Sequence, residues 1–159
     1  MYALRRWSTR NARPLEFVYR WGGRAFHTLD PLWARCGLAR IERPFAAVEA
    51  ACKGLLFDCQ MCGRCVLSST GMTCPTNCPK NLRNGPCGGV RDNGHCEVKP
   101  EMACVWCEAW AGAKRMEYGM TIRRLLPPRG HHIEGTSAWL HLTAENMARR
   151  VAGSEAKDG

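Results

Sequence analysis

Cys59-Gln-Met-Cys62-Gly-Arg-Cys65-Val-Leu-Ser-Ser-Thr-Gly-Met-Thr-Cys74-Pro-Thr-Asn-Cys78-Pro79 sets five cysteines in 21 residues, and Cys87, Cys96 and Cys104 follow close behind. From Asp58 to Lys99 neither a period of 2 nor one of 3.6 is sustained, and Cys, Gly, Pro and Asn crowd the stretch. Such a segment buries no regular apolar face, so loops held by metal are the natural reading. Nine of the chain's eleven cysteines fall in the 49 residues from Cys59 to Cys107. That density is expected where thiolates, rather than burial, organise the fold.

Cys59, Cys62 and Cys65 form CxxCxxC, which brings three sulfurs round one tight loop and opens a ferredoxin-like 4Fe-4S site. Cys74-Pro75 and Cys78-Pro79 each offer the cysteine-before-proline context of the fourth ligand. With Cys87 in Gly85-Pro-Cys-Gly-Gly89, Cys96 in Gly94-His-Cys-Glu97, and Cys104, eight sulfurs fit two cubanes. Glycines beside Cys87 let the backbone approach inorganic sulfide and turn amide hydrogens toward it. Zinc is the rival, because Cys59-Gln-Met-Cys62 with Cys104-Val-Trp-Cys107 also makes a four-thiolate site. The third cysteine, at 65, is surplus to such a pair and favours iron. One cluster with one zinc is a further alternative. Val66 after Cys65 and Glu108 after Cys107 exclude a CxxCH haem site. Asn81 stands where a CxxxCxxC radical-enzyme site needs its third cysteine.

The flanks read as helical. Residues 1–13 read as a basic, loosely ordered lead-in, followed by a helix from Pro14 through Trp21 that Gly22-Gly23 interrupts. A turn over Pro31–Trp33 stops at Gly37. A helix runs from Pro44 to Lys53, with Phe45, Val48 and Cys52 as its apolar face and Gly54 beyond its end. Met102, Val105, Trp106, Ala109, Trp110 and Ala113 trace a buried helix stripe, with Cys104 near its first turn. After the break at residues 125–130, Thr136 or Ser137 caps a last helix with Leu140, Ala144, Met147 and Val151 inward; Gly153 to Gly159 fray. The expected whole is a small single domain, mainly α, with an irregular cysteine-rich metal-bound centre. It divides into a basic helical segment (1–57), the cysteine-rich part (58–118), and a linker with a helix (119–159).

The 159 residues carry 23 basic and 14 acidic side chains, a net charge of +9, of which +6 lies in residues 1–57. Two four-thiolate sites with cores of charge about +2 would reduce the total to about +5. No known finger spacing or interleaved stacking motif accompanies the basic segment, so nucleic acid is not an expected partner. An odd cysteine count cannot pair fully within the chain, and Met1 to Arg10 have no apolar segment behind them, as a secretory or twin-arginine signal needs. The expectation is a cytoplasmic chain without a membrane span.

Cys78-Pro-Lys-Asn-Leu-Arg-Asn-Gly-Pro-Cys-Gly-Gly89, with Gly94-His-Cys-Glu-Val98 and Cys104-Val-Trp106, resembles the methylenetetrahydrofolate reductase C-terminal domain family. The resemblance spans about Cys59 to Ala113. That family includes the small iron-sulfur subunit of acetogen-type methylenetetrahydrofolate reductases, which accompanies a flavin-bearing α/β-barrel subunit. The resemblance implies that Cys59, Cys62, Cys65, Cys74, Cys78, Cys87, Cys96 and Cys104 are the metal ligands, holding two 4Fe-4S clusters. Cys107 departs from the family pattern, as does Trp110 where a Tyr is usual, which makes Cys107 a buried small apolar residue and weakens the zinc pair. Cys36 and Cys52, without a neighbour at ligand spacing, read as packed thiols.

Lys80, Arg83, Arg91 and Lys99 punctuate the cysteine region, where they can offset cluster charge or simply be solvated. His95 can hydrogen-bond a cluster sulfur, whereas His131-His132 read as exposed. Trp106 and Trp110 read as core. No dinucleotide fingerprint, phosphate-cradling loop or paired carboxylates are visible, so no catalytic residue is assigned. The expected function is that of a non-catalytic iron-sulfur electron-transfer subunit of a flavin-dependent methylenetetrahydrofolate reductase in one-carbon metabolism. The alternative is a zinc-stabilised structural module of the same complex with no redox role.

Overall fold

The computed structural model describes residues 2–155, and among these the chain is mainly helical. Four helices come first: α1 (Tyr2–Arg10), α2 (Ala12–Thr28), α3 (Asp30–Cys36) and α4 (Leu38–Phe57). Residues 58–104 then wind through loops with two 3-10 turns, at Leu67–Ser69 and Pro75–Asn77. They are pinned by two isolated antiparallel bridges, Val90 with Cys96 and His95 with Ala103. Helix α5 (Val105–Ala113) follows, then turns at Gly119–Arg123 and His131–Ile133, and α6 (Ala138–Glu155). Helix α5 is central, touching α1, α2 and both the 75–77 and 119–123 turns, while α4 packs on α1, α3 and α6.

The early helices exceed the sequence expectation because their inner faces are polar. Of the lead-in expected over residues 1–13, residues 2–10 and 12–13 are helical: Arg5, Ser8, Thr9 and Ala12 follow helical spacing and are all buried. Arg5 Nε donates to Glu108 Oε2 at 3.0 Å, Ser8 Oγ donates to the Leu56 carbonyl at 2.6 Å, and Thr9 Oγ1 meets Thr73 Oγ1 at 3.0 Å. Helix α2 passes through Gly22-Gly23 without a break. Each glycine costs a helix about 1 kcal/mol, and here the burial of Phe26 among Trp33, Phe45 and Trp139 opposes that cost. Helix α4 begins six residues before Pro44, since Gly37 at φ +82° turns the chain directly out of α3. Pro44 leaves the Arg40 carbonyl without its helical donor, at a position where both residues are exposed to solvent. Helix α4 also runs past Gly54 to Phe57, ended by Asp58 in the left-handed region. Its buried face is Glu49, Lys53 and Phe57, with Val48 and Cys52 exposed, contrary to the apolar face expected.

Helix α5 keeps its expected stripe: Met102, Val105, Trp106, Ala109 and Ala113 are buried, Trp110 is half-buried, and Cys104 is the N-cap. Ser137 caps α6, its Oγ accepting the Leu140 N–H at 3.3 Å. Leu140 is buried and Met147 half-buried, but Thr143 takes the inward place expected of Ala144 because it bonds Asp30 Oδ1 at 2.9 Å. The side chain of Val151 is outside the described part. Of the expected frayed end, residues 153–155 are helical and 156–159 lie outside the described residues.

Gly71 and Gly112 bring loop and helix backbones together: a Cβ on Gly71 would overlap the Ala109 carbonyl oxygen, and one on Gly112 the Gly71 carbonyl oxygen. Gly71, at φ +63°, adds a left-handed conformation. Gly71→Ala is expected to lower stability by about 3 kcal/mol. Gly23→Ala, whose Cβ meets nothing within 4 Å, should raise it by about 0.5–1 kcal/mol. Thermal unfolding of the two variants checks both signs. Arg5→Leu, which strands Glu108, is expected to cost about 3 kcal/mol, and adding Glu108→Leu should recover most of it.

Candidate metal centre

The segment after α4 curls because several residues occupy the left-handed region: Asp58 (φ 53°), Met61 (φ 45°) and Gly63 (φ 70°). Gly63 is also obligatory for packing, since a Cβ there would overlap the Ile133 carbonyl oxygen. The curl turns Cys59, Cys62 and Cys65 toward one gap, and Cys74 enters it from the facing loop. That loop is held by Thr70, whose Oγ1 donates toward the Val66 and Thr73 carbonyls at 3.0 and 2.7 Å. The gap encloses about 20 Å³, room for about one water molecule.

Donors surround these sulfurs. The Met61 N–H points to Cys59 Sγ at 3.4 Å, and Arg83 Nη1 reaches Cys62 Sγ at 3.7 Å while its Nη2 holds the Arg64 carbonyl at 2.9 Å. Cys59 and Cys74 hydrogen-bond each other. The shared hydrogen bond, ahead of burial, pushes the Cys59 thiol well above its ordinary range. The same bond, with help from the Thr76 and Gln60 backbone and against burial, brings Cys74 down to about 6. The pair therefore favours a thiolate at Cys74.

Lys53 is the residue that sequence reading missed. It is 5% exposed, lines the same gap, and donates to Glu49 Oε1 at 2.5 Å; Glu49 Oε2 in turn accepts the Ser137 hydroxyl at 2.6 Å. Burial works against its charge, but Cys65, Tyr19 and Glu49 outweigh it and hold the amine above its ordinary range. Tyr19 stands behind Cys65: its hydroxyl accepts from Trp139 Nε1 at 3.3 Å and hydrogen-bonds Cys65. The missed signal is an i,i+4 Glu–Lys pair on the helix immediately before CxxCxxC.

A second sulfur group surrounds the start of α5. Cys78, Cys96 and Cys104 are buried in one cluster with Met102, Val105, Trp106 and Ala109. Cys87 is half-buried and stands off from these three; it lines a separate cavity with Cys107, Trp106 and Trp110. Cys107 bridges the two, hydrogen-bonded to Cys104 and near Cys87, and what burial it has pushes its thiol up. Cys107 is exposed, not buried as expected, because it falls on the face of α5 opposite Val105, Trp106 and Ala109. Cys36 and Cys52 are likewise exposed instead of packed. The indole N–H groups of Trp106 and Trp110 are buried without an acceptor.

Among the described residues no group of three or more His, Cys, Asp or Glu side chains is placed to hold a single metal ion. What the structure brings together is four thiols on one gap and three in one cluster, with a fourth nearby. His95 bonds the Pro100 carbonyl through Nδ1 at 2.6 Å and reaches no sulfur. Of the four punctuating cations, Arg83 alone contacts a cysteine; Lys80 pairs with Glu97, Arg91 reaches the Glu97 carbonyl, and Lys99 is exposed. His131 and His132 are exposed as expected, His131 pairing with Glu134 at 2.8 Å.

Residues 38–132, more than half of the chain, match the family described as methylene-tetrahydrofolate reductase C terminal. The chain belongs to that family. The matched segment contains all eight expected ligand cysteines, Lys53 and Arg83, whereas Tyr19 and Trp139 lie outside it. Among curated proteins and among solved structures nothing matches the chain. No helix of the described residues is long and apolar enough to cross a membrane.

In the metal-free, reduced chain Cys74 makes a definite pH signature. A thiol whose folded value is depressed adds stability that is complete above its unfolded value of 9.0 and is lost as pH falls toward about 6. Denaturation midpoints under chelation are expected to fall across that window, and Cys74→Ala should flatten the slope.

Proposed function

We propose that this member of the methylenetetrahydrofolate reductase C-terminal family is an iron-sulfur electron-relay subunit, working beside a flavin-dependent reductase. The observation that carries the reading is the convergence of Cys59, Cys62, Cys65 and Cys74 on one gap. Three of these sulfurs come from a single seven-residue turn, a ferredoxin-like arrangement. Cys78, Cys96, Cys104 and the nearby Cys87 supply the second donor set.

The donor chemistry fits. All eight candidates are soft thiols, which suit iron-sulfur clusters or zinc. Lys53 and Arg83 place positive charge beside the first set, where an assembled four-thiolate site is anionic. Near the second set, the unpartnered indole N–H groups of Trp106 and Trp110 suit inorganic sulfide, an acceptor that a zinc site lacks. Bound clusters would supply one-electron exchange with the partner's flavin and a further carrier. This chain's residues would hold the clusters, set their charge surroundings and shield them from water. The first gap has room for about one water molecule.

The zinc-stapled reading draws on that same narrowness, which suits one ion better than a cage. Metal analysis decides between them. Anaerobically purified chain is expected to hold about eight iron and eight sulfide, with broad visible absorbance. Cys65→Ser should remove about half of the iron, and Cys36→Ser/Cys52→Ser none. Stoichiometric zinc without iron would overturn the redox role.

A further inference from the structure

A groove of about 1,340 Å³ runs between α2, α6 and residues 63–68. It shares Gly63, Arg64, Cys65 and Val66 with the wall of the first sulfur gap, so it is a route from that site to solvent. Its charge is one-sided. Arg20 and Arg24 come from α2, Arg64 from the cysteine loop and Arg149 from α6, while Glu145 is the one carboxylate among the described lining residues. Arg64 holds Glu145 at 3.0 Å, and Arg149 approaches it at 3.9 Å. Arg20 lies 3.7 Å from the Tyr118 ring centre, and Arg24 is exposed.

We propose that this groove is a docking surface for a small acidic electron-carrier protein, whose redox group it brings up to the Cys65 side of the first sulfur set. The proposal rests on the iron-sulfur reading above and adds where, and to what kind of partner, that site opens. Three physical points favour this occupant. The groove is open to solvent and carries four arginines against one carboxylate, unlike the enclosed sites that bury small molecules. Redox encounters are small and transient, and opposed charge steers them without the large apolar interface of a permanent subunit. The arginines also surround a face where Cys65 of the first sulfur set comes near solvent, so a carboxylate-rimmed partner is drawn to that site. In the exchange the carrier gives up one electron and the metal-thiolate group gains it; no bond or proton moves.

The test titrates a small acidic two-cluster ferredoxin, in its oxidised form, into the full chain at low and high ionic strength, with iron measured in every sample. Arg24→Glu/Arg149→Glu is expected to weaken binding about tenfold or more at low salt, with the gap closing to about threefold or less in about 0.5 M salt. Arg91→Glu/Lys99→Glu makes the same charge change at exposed positions outside the groove and should alter affinity by less than about twofold. Unchanged ferredoxin affinity in an iron-loaded Arg24→Glu/Arg149→Glu chain, equal losses from both pairs, or duplex DNA binding more tightly than the ferredoxin would each overturn the docking site. An iron-free wild-type chain would instead overturn the redox reading, whatever the affinities.

Discussion

A 47-residue passage with almost no regular hydrogen-bonded structure, residues 58–104, has to be held against the helices of a 159-residue protein, with its stretch from 62 to 78 the most deeply buried. Backbone groups taken out of water need partners, and a passage without ladders must find them one at a time. Polar side chains provide some of them, both within the passage and at the end of α4 that leads into it. Ser8 bonds the Leu56 carbonyl, Asn77 the Phe57 carbonyl and Arg83 the Arg64 carbonyl. The segments after α5 are treated the same way: Glu16 accepts the N–H groups of Glu117 and Tyr118, and Glu42 that of Ser137. With the backbone held by these contacts, the thiols are left to face one another.

The same arrangement explains which parts of the fold were legible. Helix α5 was readable residue by residue, because Met102, Val105, Trp106, Ala109 and Ala113 are apolar and inward at helical spacing. Helix α1 was not, since its inward residues are Arg5, Ser8 and Thr9, and a search for apolar period sees only a basic tail. In α4 the periodicity chose the wrong side: Val48 and Cys52 look like core, yet Glu49 and Lys53 are buried as a pair against Ser137 and Cys65. Proline and glycine misled for a related reason. Their local cost is real, but tertiary contacts of α2 and α4 outweigh it. The cysteine spacing remained informative because the geometry of a seven-residue turn constrains its sulfurs whatever packs outside. Spacing alone left open how the eight would divide. The structure groups Cys74 with the first three and Cys78 with Cys96 and Cys104, although only three residues separate them, because the Pro75–Asn77 turn sends one to the gap and the other to the cluster at the start of α5.

The two sulfur groups sit in unlike surroundings. The first has a buried ammonium, a guanidinium and a phenol within reach; the second has indole N–H groups and an aliphatic shell that includes Leu82, Val90, Ile122 and Leu126. Positive charge favours the reduced, more anionic state of a thiolate-bound centre, while an apolar shell disfavours it. Two centres in these environments would differ in potential, with the first the easier to reduce on charge alone. That difference is what a relay needs if electrons are to move in one direction.

The position of the family match adds a final step. Residues 38–132 contain every candidate ligand, yet Tyr19, Trp139 and three of the four groove arginines belong to helices outside the match. Helices α2 and α6 therefore do two things for a centre they do not ligate. Tyr19 and Trp139 line the groove and pack against Lys53, both rings about 5 Å from its ammonium. Arg20, Arg24 and Arg149 leave the outer side open but strongly charged. A sulfur site enclosed only by the matched segment would lose that polarity, since Arg64 alone would remain to mark the way in. The flanking helices thus supply most of the positive charge on the face of the sulfur site that the groove exposes.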